Sequence, residues 1–252
     1  MIKGLDVFKD YFRYFNEQYV IIGGAACDIV FDSSDSSFRA TKDIDMVLIV
    51  EALTPEFGRR FWDFIVDGGY ENRAKSNGVP QFYRFDKPKT PGFPFMIELF
   101  ARSDSVFDRD NYDCRPLHLG EEISSLSAIL LNADYYQLLL SGREVMSDVS
   151  ILSNTHLIVF KAKAWLDLSE RKASGQSIQE GDIRKHKNDV ARLTALLTGN
   201  EICNVPSSVF DDISRFIEAF EKEPPDMKSL RIPGVSSNDI VSVLKKMYIS
   251  QI

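Results

Sequence analysis

Two aspartates at alternate positions, Asp43 and Asp45, lead into the apolar run Met46-Val47-Leu48-Ile49-Val50. In an extended strand residues two apart point to the same side, so the two carboxylates share a face while Ile44 turns into the core. Two anions that close repel, and in a partly dry cleft each raises the pKa of the other. A divalent cation removes that penalty, and Mg²⁺ favours one or two carboxylates completed by substrate phosphates. The same tripeptide also suits a plain solvated strand edge. Upstream, Gly23-Gly24 follows the apolar run Tyr19-Val20-Ile21-Ile22 and precedes a helix-like stretch. Glycine permits close backbone approach to a phosphate, and the start of the next helix offers free N–H groups to an anion. An ordinary strand–helix turn uses the same residues. No G-K-[ST] follows, which excludes a Walker loop. The third candidate is Glu98 within Phe95-Met96-Ile97-Glu98-Leu99-Phe100. A lone carboxylate in an apolar strand is costly to bury unless a cation or hydrogen bonds meet it. It reads as a third metal ligand, a general base, or a residue on a solvated strand face.

The elements that must position these groups follow from hydrophobic periodicity. Aromatics at helical spacing predict a first helix over 8–15, then a buried strand over 19–22 and a helix over 25–31. The serine- and aspartate-rich stretch 32–37 is a loop. Residues 44–50 are nearly all apolar, as in a strand covered on both faces. A helix over 55–66 is stopped by Gly68-Gly69, and 82–85 and 93–100 are strands. Residues 126–131 and 149–152 are further short strands with a helix over 134–140 between them. Beyond Asn154 the pattern is helical, over 155–172, 182–198, 206–222 and 236–248. The expected fold is α/β (α+β), with a sheet-and-helix domain over 1–150 and a helical domain over 151–252.

On the helix at 155–172, advancing ~100° per residue gathers Leu157, Phe160, Ala164, Trp165 and Leu168 on one face, with Lys161 near its middle. Lys163 points to the polar side. A lysine in an apolar stripe either snorkels out or meets an anion. On the next helix His186 falls among Ile183, Val190, Leu193 and Leu197, the place of a core histidine. His118 and His156 have no acid or cysteine at ligand spacing. No H-E-x-x-H helix and no nucleophile elbow is present in the sequence.

The chain has 252 residues, 44% hydrophobic and 27% charged, which excludes disorder throughout and leaves enough apolar material for a core. No apolar run approaches the ~18 residues of a membrane helix. The first residues meet Asp6 at once and lack the apolar stretch of a secretory signal. Cys27, Cys114 and Cys203 are an odd number without a C-x-x-C pair, so a reducing, cytoplasmic setting is expected. The net charge of −7 argues against broad DNA binding. Residues 161–192 nonetheless hold eight Lys and Arg against five Asp and Glu, leaving −10 for the remainder. That local basic balance suits a small polyanion or a solvated helix face.

The combination of strand, Gly23-Gly24, helix, Arg39-x-Thr41-x-Asp43-x-Asp45 and the later Glu98 resembles the DNA polymerase beta-like nucleotidyltransferase superfamily. Within it, the R-x-[ST]-x-D-I-D form and the helical second half look most like the AbiEii-type toxin nucleotidyltransferases of bacteria. The motifs span residues 20–100, with weaker agreement through 195. The superfamily often has Gly-Ser at the diglycine position, and its third acid is more often Asp than Glu. The resemblance implies a mixed sheet with flanking helices and a transferase moving NMP from an NTP to an acceptor hydroxyl. It implies Asp43, Asp45 and Glu98 as catalytic and Mg²⁺ (or Mn²⁺) ligands, with Glu98 the base instead if it is not a ligand. Gly23, Gly24 and Lys161, the last through a K-x-x-A pattern shared with Ala164, would hold the triphosphate. Arg39 would steady the loop or touch phosphate, Thr41 would cap the strand entry, and Asp189 would orient Lys161 or a base edge. The acceptor would be tRNA or protein, with an antitoxin protein as a further partner. Two other readings share the fold: a nucleotide-binding or interaction protein with a decayed site, and a small-molecule, aminoglycoside-type nucleotidyltransferase.

Overall fold

The computed structural model describes residues 2–74, 80–101, 106–107, 114–115, 129–130 and 132–251, with 72–74, 80–83, 106–107 and 114–115 described by their backbone alone. The chain divides into two compact units. One comprises the described residues of Met1–Ile123 together with Arg143–Leu152, the other those of Ser124–Gly142 with Ser153–Ile252.

The first unit opens with α1 (Leu5–Phe12), β1 (Tyr19–Ile22), α2 (Gly23–Ser33) and β2 (Asp43–Leu48). A 3-10 turn (Val50–Ala52) leads to α3 (Pro55–Gly68), then β3 (Glu71–Ala74), β4 (Pro80–Asp86) and β5 (Met96–Ala101). A small antiparallel pair, β6 (Val106–Phe107) and β7 (Cys114–Arg115), and the hairpin β8 (Arg143–Met146) and β9 (Val149–Leu152) complete it. Seven strands form one mixed sheet in the order β3-β4-β5-β2-β1-β9-β8. β2 is parallel to β5 and antiparallel to β1, while β1 is parallel to β9.

All four residues of β1 are buried. Residues Leu5, Phe8 and Phe12 fall on the buried side of α1, at the spacing that puts one helical face on a core. The Phe12 ring lies 4.6 Å from Phe8, 5.3 Å from Phe64 and 5.8 Å from Phe57. Helix α3 starts where the Thr54 hydroxyl accepts from the Phe57 amide, with Pro55 preset for the first turn. It stops at Gly69, whose φ of 60° is the left-handed cap.

The second unit contains α4 (Ala133–Ser141), α5 (Asn154–Ala173), α6 (Glu180–Ala195), β10 (Cys203–Pro206), α7 (Ser207–Lys222), α8 (Ser237–Met247) and β11 (Tyr248–Gln251). Strands β10 and β11 pair in parallel, from Cys203 opposite Tyr248 to Pro206 opposite Gln251. The Tyr248 hydroxyl donates to the Thr155 carbonyl at 2.6 Å. A capping box of Ser236 and Asp239 starts α8.

The expected mixed sheet with flanking helices is present. The sequence pattern misses four short strands, β3, β8, β10 and β11, and the β6–β7 pair. Ile129 and Leu130 are helical rather than extended, while the rest of that predicted strand is not among the described residues, nor is His118. Phe93, Pro94 and Phe95 precede β5 rather than belonging to it. No helix among the described residues is long and apolar enough to cross a membrane.

Candidate active site

Strand register decides which side chains can meet. Asp45 lies opposite Ile22 on β1 and opposite Glu98 on β5, and Glu98 in turn lies opposite Arg84 on β4. Register partners present side chains to the same face. Arg84, Glu98 and Asp45 are therefore one row across three neighbouring strands. In the adjacent row Asp43 lies opposite Met96, and Met96 opposite Asp86. Burial along β2 follows the expected alternation: Asp43 and Asp45 are half-buried while Ile44 is fully enclosed.

The diglycine bend abuts this row. β1 ends at Ile22 and α2 begins at Gly23, whose φ of 68° lies in the left-handed region. A Cβ at Gly23 would sit 2.0 Å from Asp45 Oδ2, and one at Gly24 would sit 2.8 Å from Thr41 Oγ1 and 3.7 Å from an Arg39 guanidinium nitrogen. Only a residue without a side chain lets the helix start press against that carboxylate. α2 has no side-chain cap and no acid in its first turn. The Asp45 carboxylate is thus an anion set at the positive end of the helix dipole. Gly23, Gly24, Arg39, Thr41, Asp43 and Asp45 are drawn together here, with Glu98 one strand away.

Glu98 has a cationic partner on the neighbouring strand. Its carboxylate is ion-paired with the Arg84 guanidinium, the two side chains being 14% and 32% exposed. Among the described residues no three His, Cys, Asp or Glu side chains are grouped to hold a metal ion. The donor set at β2 is a pair of carboxylates, which fits Mg²⁺ completed by phosphate oxygens.

Lys161 and Asp189 belong to the helical unit. Lys161, 5% exposed, meets Asp189, 0% exposed, at 3.1 Å, and Arg192 approaches the other Asp189 oxygen at 3.9 Å. The lysine in the apolar stripe therefore meets an anion of its own chain and does not snorkel. Lys163 donates to Asp212 at 2.7 Å. His186 is half-buried rather than core, and its neighbour Lys187 is the buried cation. Lys187 donates to the Glu223 carbonyl at 2.8 Å, beside a cleft of about 950 Å³ that Trp165 and Arg184 also line. His156 is held by the Ser153 hydroxyl at 2.7 Å, with Cys203 Sγ at 4.0 Å from its far nitrogen. Burial pushes the His156 pKa down to about 4 and the Cys203 thiol up. Both stay neutral, so the pair is packing rather than an activated thiolate.

Arg84 and Asp86 escape the sequence reading. Their signal is the alternation Arg84-Phe85-Asp86: Phe85 is 1% exposed and the two charged residues share the opposite parity.

No protein-family model matches the chain, and no curated protein does. Among solved structures the chain is similar to an antigenic nucleotidyltransferase-like protein from Paracoccidioides brasiliensis, at 17% identity and a TM-score of 0.46 over 94% of this chain and 95% of that one. At that distance the likeness leaves the fold to be described by its own strands and helices.

Proposed function

We propose that the chain is a metal-dependent nucleotidyltransferase, moving an NMP group from an NTP to an acceptor hydroxyl with release of pyrophosphate. The observation that carries this is the contact of the Gly23 bend with the Asp45 carboxylate, which sets a phosphate-accepting helix start against an Asp-x-Asp strand end. Asp43 and Asp45 would hold Mg²⁺, which when bound supplies neutralisation of phosphate charge. The rest of the work belongs to the chain. Gly23 and Gly24 let the phosphates approach the backbone of α2, with Arg39 and Thr41 at its flank. Holding the α-phosphorus in line with an attacking hydroxyl turns a bimolecular encounter into a positioned one. The new ester bond forms as the bond to pyrophosphate breaks, and the hydroxyl proton leaves to a site carboxylate or to solvent. A tRNA or protein acceptor, a toxin role and an antitoxin partner are supported by the motif resemblance alone.

The test is incubation of the chain with each α-labelled NTP and a mixture of total RNA and protein extract. Label is expected in one fraction and is expected to vanish in the Asp43→Ala, Asp45→Ala double variant with an unchanged circular dichroism spectrum. Undiminished transfer by that variant overturns the proposal. The Arg84–Glu98 pair favours one second reading, a nucleotide-binding protein that has lost catalysis. Calorimetry with a non-hydrolysable NTP separates the two, since binding indifferent to Mg²⁺ supports the second.

A further inference from the structure

We infer that Arg84 is a substrate-binding residue of this site that takes a phosphate of the nucleotide, and that Glu98 is the positioning residue that holds it there. The inference rests on the reading of the Asp43–Asp45 site given above and adds a binding group to it. Three observations converge on Arg84.

The first is place. Arg84 stands in register with Glu98, and Glu98 with Asp45, so the guanidinium is carried on the same sheet face as the carboxylate against the Gly23 bend. Strands lie ~4.8 Å apart, so Arg84 starts about two strand spacings from Asp45, a gap that an arginine side chain leaning over Glu98 shortens.

The second is the asymmetry of the ion pair. Glu98, 14% exposed, is the enclosed partner, and Arg84, 32% exposed, is the one that reaches solvent. The enclosed carboxylate thereby orients a cation that faces the solvent side.

The third is unmet hydrogen-bonding capacity. A guanidinium carries five donors in a planar fork and stays charged at every pH of interest. Glu98 engages one terminal nitrogen, and Arg84 Nε is enclosed without a hydrogen-bond partner among the described residues, so an incoming phosphate would meet the terminal nitrogens of the fork. Phosphate oxygens match such a fork in two-point contacts, which a lysine cannot reproduce. The face already carries Asp43, Asp45, Glu98 and the buried Asp86, and a triphosphate brings further negative charge to it.

A cross-strand pair with no other role would contribute only to the sheet, and the experiment separates the two. The full chain and its Arg84→Lys, Arg84→Met, Glu98→Gln and Arg84→Met/Glu98→Gln variants are titrated with Mn²⁺ alone, read by the loss of the free-ion electron paramagnetic resonance signal. They are then titrated with a non-hydrolysable NTP by calorimetry. Charge-assisted hydrogen bonds of this kind correspond to about a ten- to hundredfold loss of nucleotide affinity in Arg84→Met, with Mn²⁺ binding unchanged. Arg84→Lys is expected to recover part of that loss, and it carries the test if the methionine variant loses its fold. Glu98→Gln weakens nucleotide binding less, and the double variant is no worse than Arg84→Met. Wild-type nucleotide affinity in both Arg84 variants overturns the inference. So does a Glu98→Gln variant that loses Mn²⁺ as fully as Asp45→Asn, because Glu98 is then a ligand. Loss of nucleotide affinity on changing Arg84, alongside unchanged Mn²⁺ binding and transfer in Asp45→Asn, would sustain the arginine while removing the metal site. A wild-type chain that binds no NTP removes both.

Discussion

Replacing Gly23 by alanine adds one carbon where the structure has least room for it. The new Cβ would lie 2.0 Å from Asp45 Oδ2, and ordinary contact begins at 3.4 Å, so the carboxylate must retreat by about 1.4 Å or the start of α2 must lift. The left-handed φ of 68° adds about 1–2 kcal/mol of strain that glycine does not suffer. A displacement near 1 Å in a positioned site costs roughly a hundredfold in rate, or about 2.7 kcal/mol of transition-state stabilisation. Gly24→Ala is the internal control. Its φ is not in the left-handed region, and its nearest neighbour is the Thr41 hydroxyl at 2.8 Å, a group that can rotate away. Transfer of labelled NMP is expected to fall about a hundredfold in Gly23→Ala and less than about tenfold in Gly24→Ala. Urea unfolding of both variants checks that the chain remains folded. Wild-type transfer by a folded Gly23→Ala variant refutes the link between the bend and the carboxylate.

Two further outcomes concern the helical unit. Asp189→Ala leaves Lys161 buried without this counter-charge and removes the partner of Arg192 as well, so a loss of about 3–5 kcal/mol is expected in urea unfolding. Lys161→Met leaves Asp189 with Arg192 at 3.9 Å and should cost less; equal costs would count against the asymmetry. Burial holds the folded-state pKa of His156 at about 4, below the unfolded value of 6.5, so the unfolded chain binds more protons between those values. Its contribution is therefore intact above pH 6.5 and lost as pH falls toward 4, by about 3 kcal/mol. His156→Gln should flatten that part of the pH–stability curve, and an unchanged slope would rule the histidine out as its source.

The parts of the site that the sequence makes plain are those written locally. A strand that stops at Gly23-Gly24, and acids at i and i+2 of β2, need only the periods of helix and strand to be seen. That Asp45 faces Glu98 depends on β2 and β5 pairing in parallel across more than 50 intervening residues, a fact of topology rather than of pattern. Arg84 is invisible for the same reason, because its partner is named by the register of β4. The helical unit shows a related limit. The last helix, expected to run to 248, ends at Met247, and Tyr248–Gln251 form a strand because β10 offers them an edge. His186, expected in the core, is half-buried, and the neighbouring Lys187, about 100° round the helix, is the enclosed residue, lying over the Trp165 ring and against Glu223.

The order of strands also has a consequence during synthesis. Ile21 of β1 finds its parallel partner only at Ile151, after the chain has passed through the helix Ala133–Ser141 of the other unit. Until the ribosome has delivered the hairpin at 143–152, the wholly apolar segment Tyr19–Ile22 is an uncovered border of the nascent sheet. Such a border is a template for wrong partners. A chain halted near residue 142 is thus expected to clump rather than to fold as a smaller, independent half.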